Sequence, residues 1–146
     1  MERSTPQSLD RAHMTPIEIV RQFVAAINAH DVDAIVECMA PEHFFMDSLG
    51  NGFPGTAMRT GWQQYFKMVP DYWIKVEEEV SKGDEVILLG KAGGTHVPGD
   101  GVLKAENKWE TPAAWRAVAA GGKVTEWRAY CDNEPIREKM RAAASP

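Results

Sequence analysis

Cysteine is nearly absent from these 146 residues: Cys38 and Cys131 are the only two, and they form no C-x-x-C pair. Zinc-ribbon and dithiol redox motifs are thereby excluded; one disulfide between the two is open but not implied, and buried free thiols are expected. Long apolar runs are missing too. No stretch approaches about 18 uncharged apolar residues, so no membrane span is predicted. The opening MERSTPQSLDRAHM has no apolar secretory core, which makes the cytoplasm the expected compartment. Basic residues are outnumbered, 16 Lys and Arg against 21 Asp and Glu, for a net charge of −5. Without a Lys/Arg run there is nothing to release counterions from a phosphate backbone, so nucleic acid is not an expected partner. The four histidines (His13, His30, His43, His96) lack paired spacing, and no glycine-rich phosphate-binding loop precedes a helix. Neither a metal nor a nucleotide cofactor is predicted. Internal repeats are absent as well.

What the chain does have is aromatic residues: 5 Trp, 3 Tyr and 5 Phe, within a composition that is 44% hydrophobic and 25% charged. Those values fit one globular domain with one core. The domain is expected over residues 14–141, with tails at 1–13, expected to be disordered, and at 142–146, expected to fray. The aromatic residues either fill a large core or line a pocket.

Local signals set an order of elements. Thr15-Pro16-Ile17-Glu18 combines an N-cap, a proline at the first helical position and a capping-box glutamate. Ile17, Val20, Val24 and Ile27, with Phe23 beside them, give that helix its apolar face. Asp31 caps a second, shorter helix through Met39, which Pro41 stops. His43–Asp47 reads as a strand, 48–55 (SLGNGFPG) as a loop, and Thr56 as the cap of a helix carrying Met58, Trp62, Tyr65, Phe66 and Val69 on one side. Four strands follow: Tyr72–Ser81, with Ile74, Val76 and Val80 on one side, then Glu85–His96, Asn107–Ala119 and Lys123–Asp132. Ala120-Gly121-Gly122 makes a hairpin turn, and Pro135–Arg141 a last helix. Helices first and an antiparallel meander after them make the class α+β.

Three segments carry a family resemblance. Residues 20–50 (VRQFVAAINAHDVDAIVECMAPEHFFMDSLG) resemble the opening helix pair and first strand of the nuclear transport factor 2-like superfamily. Residues 93–101 (GGTHVPGDG) are similar to the Gly-Thr-His strand end of its SnoaL-like branch, and residues 121–132 (GGKVTEWRAYCD) to its closing hairpin. SnoaL-like polyketide cyclases and ketosteroid isomerases look nearest, over residues 15–140. The resemblance implies a cystatin-like curved antiparallel sheet wrapped around the N-terminal helices, a cone with an internal pocket. It does not choose an activity, because this scaffold hosts isomerases, cyclases, dehydratases, hydrolases and non-catalytic binders.

Two strand ends offer chemistry. Asp47 closes an apolar strand before a glycine-rich loop. It is either a partly desolvated base, as the resemblance to ketosteroid isomerases implies, or a cap on the loop's backbone N–H groups. His96 shares a strand face with Gly90, Ala92 and Gly94, whose small side chains leave room for a ligand if that face looks inward; otherwise it is a loop-edge histidine. The tyrosine and protonated aspartic acid that ketosteroid isomerases use to hold an oxyanion fall, by motif, at Phe23 and Ala114, so both donors are missing. In the same register Glu110 and Arg116 point inward, as a structural pair or with Arg116 as a substrate clamp; an acid/base role for Glu110 is what the resemblance to SnoaL-like cyclases implies. Asp132 lies near the pocket or caps the last helix. Trp62, Trp73 and Trp127 are pocket walls or ordinary core.

Trp115, by contrast, is expected on the outer face with Tyr130, where an apolar surface calls for a cover; a homodimer through the sheets is predicted. Two functions fit these residues. One is a cofactor-independent enzyme of the cyclase, isomerase, dehydratase or hydrolase type, acting on an apolar oxygenated molecule with Asp47 and His96. The other is a module of the same fold that binds a small molecule or a protein without reacting.

Overall fold

The expected capping box forms and starts the first helix. Thr15 Oγ1 accepts from the Glu18 backbone N–H, and the Glu18 carboxylate accepts from Thr15 N at 2.8 Å. Helix α1 (Pro16–Asn28) buries Ile19, Val20, Phe23, Ala26 and Ile27, while Ile17 and Val24 are half-buried. Asp31 caps α2 (Val32–Glu37), accepting from Ala34 N at 3.1 Å. The computed structural model describes residues 13–99 and 101–144; the N-terminal tail up to residue 12 and the last two residues lie outside them.

The chain extends sooner than expected. Strand β1 (Met39–Met46) begins within the residues read as helix and contains Pro41. The proline falls where the parallel pairing of β1 with the last strand shifts register, between Met39 and Phe44, so its missing N–H costs no regular ladder bond. Part of the glycine-rich loop is also extended: β2 (Gly52–Pro54) pairs with β1, and Phe53 stacks on Phe45 at 5.9 Å. A 3-10 turn, Gly55–Ala57, leads into α3 (Met58–Met68), which has no side-chain N-cap; Thr56 sits within that turn.

Then come β3 (Trp73–Lys82), β4 (Glu85–Thr95), a 3-10 turn Ala105–Asn107, β5 (Lys108–Ala120), β6 (Lys123–Cys131) and α4 (Glu134–Ala144), which runs past Arg141 into the expected tail. The six strands form one sheet in the order β2-β1-β6-β5-β4-β3, antiparallel except for β1 with β6. Helix α1 lies across β3 and β5. The fold is the expected α+β arrangement, a curved sheet closed on one side by the N-terminal helices.

Two registers differ from expectation, and both matter for the site. Along β5 the buried residues are Trp109, Thr111, Ala113, Trp115, Ala117 and Ala119, the reverse of the predicted set. Cross-strand partners share a face: Trp115 stands opposite Leu88 and Ala117 opposite Trp127, both core residues. Strand parity is binary, so one misplaced residue turns the whole strand over. Trp115 is 3% exposed and cannot cover an outer surface, which removes the residue on which the dimer expectation rested. In β3 the register shifts between Val76 and Glu78. That shift turns Val80 outward, at 57% exposed, and brings Glu79 to Arg21 of α1 at 2.6 Å.

His43 is buried on β1 with Nδ1 2.8 Å from the Val124 carbonyl, so Nδ1–H donates there. Burial holds its imidazole below the usual histidine range of 6.5, against the opposing pull of that hydrogen bond. The folded chain therefore resists the proton that the unfolded chain accepts below about pH 6.5. The contribution is present above that pH and is lost as the pH falls. Urea midpoints are expected to drop between about pH 7 and pH 5, and to drop less in His43→Asn, which keeps an N–H for Val124. An equal drop in the variant would assign the pH dependence to other groups.

Candidate active site

A cavity of about 370 Å³ lies between the inner sheet face and α3, within the size range of small-ligand pockets. Trp62, Trp115 and Trp127 form its walls. Trp115 and Trp127 stack at 6.2 Å, and Trp62 stacks on Phe66 at 5.4 Å. Trp62 and Trp127 were expected there. Trp73 is not: its β4 partner is Gly93 on the outer face, and its indole covers that glycine. Phe23 is wholly buried and stands behind the wall, edge-on to Trp127 at 5.0 Å, so it supports the indole from outside the lining.

Asp47 lines the cavity at the end of β1. Its Oδ1 accepts from the backbone N–H groups of Leu49 and Asn51 at 3.0 and 2.8 Å, and Oδ2 accepts from the Asn51 amide at 3.2 Å. The carboxylate thus holds the loop at the cavity's rim. Ser48 and Cys131, 83 positions apart, meet beside it. Cys131 N donates to Ser48 Oγ at 3.2 Å, the Ser48 hydroxyl contacts Cys131 Sγ at 3.1 Å, and Sγ reaches Asn133 Oδ1 at 3.4 Å. Both cysteines are free thiols.

His96 does not join Asp47. It is 7% exposed, sits beyond Gly94 on the inner face, and is no part of the cavity wall. The room expected along its face is already filled by the chain. A Cβ on Gly94 would meet Val69 Cγ1 at 2.4 Å, and one on Gly90 the Lys75 carbonyl oxygen at 1.9 Å. The Nδ1 of His96 and the Nε1 of Trp109 are buried without hydrogen-bond partners.

With β5 turned over, three more expected site residues leave the interior. Arg116 joins Glu85 at 2.5 Å and Glu126 on the outer face; Glu110 lies 3.7 Å from Lys91 there; Ala114, opposite Leu89, is outside with them. Asp132 is exposed and accepts from Glu134 N at 2.9 Å, serving the start of α4. Among the described residues no group of three His, Cys, Asp or Glu side chains is placed to hold a metal, and no helix is long and apolar enough to cross a membrane.

Two wall residues escaped the sequence reading as polar groups, Tyr65 of α3 and Tyr72 just before β3. Their rings meet edge to face at 5.0 Å. Burial pushes both phenols well above the ordinary tyrosine range, so both stay protonated. The only signal for them was the spacing of Trp62, Tyr65, Phe66, Val69 and Tyr72, which describes a packed helix face equally well.

Comparison with known proteins places this architecture. The family model for the SnoaL-like domain matches residues 20–127. The chain belongs to the SnoaL-like domain family. No curated protein matches its sequence. Similar solved structures include a candidate SnoaL-like polyketide cyclase from Shewanella denitrificans, 13% identical with a TM-score of 0.74, covering 87% of this chain and 97% of that one. IdmH, a candidate polyketide cyclase from Streptomyces antibioticus, is 20% identical with a TM-score of 0.73, covering 88% and 99%. AclR, a candidate hydroxylase from Streptomyces galilaeus, is 19% identical with a TM-score of 0.72, covering 90% and 83%. At these identities the likeness to this SnoaL-like chain is one of fold.

Proposed function

We propose that this SnoaL-like protein is a receptor for an apolar, oxygen-bearing ring compound held in the aromatic cavity. The observation that carries the reading is the wall itself: Trp62, Trp115 and Trp127 around about 370 Å³, with few polar groups among them. Flat indole faces suit flat or puckered rings, and their burial of a ring's apolar area supplies affinity. The similar folds of candidate polyketide cyclases fit such a ligand. Two-ring aromatic compounds are expected to quench the tryptophan fluorescence saturably, since three of the five indoles face the ligand. Absence of quenching with all of them overturns the reading.

A second reading, catalysis by proton transfer, is favoured by Asp47 lining the same cavity with an Oδ2 that carries only the Asn51 amide. In that case the protein accelerates exchange of the α-protons of 2-tetralone for solvent deuterium, followed by NMR. Asp47→Asn then slows the exchange more than about a hundredfold while binding persists. A protein that binds the ketone without accelerating exchange is a receptor only.

A further inference from the structure

We infer that the phenol hydroxyls of Tyr65 and Tyr72 form the oxygen-recognising end of the cavity, together receiving one carbonyl-type acceptor of the ligand. This rests on the reading of the cavity as a ligand site and specifies which part of the ligand is recognised.

The assignment follows from where the polar wall groups already spend their hydrogen bonds. Asp47 is engaged by the loop, Ser48 and Cys131 bond one another, and Cys131 Sγ reaches Asn133 Oδ1. Among the described residues, neither Tyr65 nor Tyr72 gives its hydroxyl a partner in the chain. Tyr72 as a residue is only 9% exposed, and both tyrosines line the cavity. A hydroxyl on a largely apolar cavity wall with no partner in the chain gains a hydrogen bond when a ligand acceptor arrives. The two rings meet at 5.0 Å and line the cavity together with Cys131, so both phenols belong to the same stretch of wall.

The pair is also built to hold still. The Tyr72 carbonyl accepts from His30 Nε2 at 2.6 Å, and Tyr72 N donates to Val69 O at 3.1 Å. Next to it, Asn28 accepts from Ile74 N at 2.8 Å and donates to Ile74 O at 3.0 Å. Asp71 accepts from Thr95 N and Thr95 Oγ1, both at 2.7 Å. A donor fixed in this way loses little freedom when a ligand arrives. Phenols kept protonated are donors, so an acceptor oxygen fits, and an anionic or neutral carbonyl-type oxygen can take both bonds at once.

The test compares 2-acetylnaphthalene with 2-ethylnaphthalene, which has the same rings and nearly the same shape but no acceptor. Tryptophan quenching by each is titrated in the wild type and in the Tyr65→Phe/Tyr72→Phe double variant. The wild type is expected to bind the ketone about tenfold more tightly than the hydrocarbon. The double variant is expected to bind both equally, with the hydrocarbon's affinity unchanged. The carbonyl stretch of the bound ketone should move to lower frequency in the wild type and return in the variant. Thermal unfolding of the ligand-free variant should be no earlier than wild type; an earlier transition reveals an internal partner for a hydroxyl and counts against the assignment. Equal binding of both probes by the wild type overturns the assignment and leaves the cavity reading standing. Persistence of the preference in the variant gives the oxygen to another donor, an indole N–H among them, and also overturns it. Binding of neither probe overturns the cavity reading and this inference together.

Discussion

Replacing Trp127 with alanine is expected to lower the unfolding free energy by about 3–5 kcal/mol, the usual cost of emptying a buried aromatic site. Its side chain is 2% exposed and lies between two rings, Phe23 edge-on at 5.0 Å and Trp115 stacked at 6.2 Å. Neither neighbour can collapse into the gap freely, because Phe23 is anchored on α1 and Trp115 on the central strand β5. Urea denaturation measures the loss. Near-ultraviolet circular dichroism gives a second readout, since the Trp115–Trp127 pair is stacked and its coupled signal vanishes with either partner. Trp127→Phe keeps most of the volume and should lose much less stability while losing the same coupled signal. Trp127→Ala at wild-type stability would contradict the placement of β5's inner face.

Gly90→Ala is expected to be as severe, from a single methyl group. The added Cβ would stand 1.9 Å from the Lys75 carbonyl oxygen, 3.0 Å from its carbon and 3.2 Å from Glu77 N. All three are backbone atoms of β3 at its register shift, so no side chain can move aside; either the strands part or the bulge rearranges. Overpacking of this kind typically costs about 1–3 kcal/mol, and the upper end or beyond is expected where only backbone can yield. Gly61→Ala is the matched control. Its Cβ meets nothing nearer than Met58 Cε at 3.9 Å, and alanine favours the helix by up to about 1 kcal/mol. Chemical denaturation of the two variants side by side checks the contrast. A stable Gly90→Ala would mean that β3 and β4 do not pair as described.

The sequence announced most elements through short-range chemistry. The Thr15–Glu18 box, the Asp31 cap and the Gly121-Gly122 turn, with both glycines at positive φ, each depend on residues within a few positions of one another. Facing was harder wherever it depended on a partner strand. On β5 an alanine or proline faces each side at several positions, so the local pattern nearly balances, and only Leu88 and Trp127 across the sheet decide that Trp115 turns inward. The shift after Val76 left no mark among Glu77, Glu78 and Glu79, three identical residues. The site suffered in proportion. Trp62, Trp127 and the strand-end Asp47 sit where local spacing puts them; Glu110 and Arg116 rest on a strand parity that the structure reverses, whereas His96 keeps the inner face its parity gives and lacks only the room beside it. Tyr65 and Tyr72 were visible as an aromatic stripe, but an unsatisfied hydroxyl is defined by what fails to come near it, and no linear pattern records that.

The parallel pairing of β1 with β6 has a consequence for how the chain is made. Ser48 meets Cys131 and Phe45 lies beside Trp127, so the cavity is closed by segments from opposite ends of the domain. During synthesis β1 emerges without the strand it pairs with, and Trp62 and Tyr65 follow with no sheet to cover. Contacts of such long sequence separation form late and slowly. Until the final hairpin is made, Trp62 and Tyr65 lack Trp127 and Ala129 across the cavity, so its closure waits on the C-terminal end of the domain.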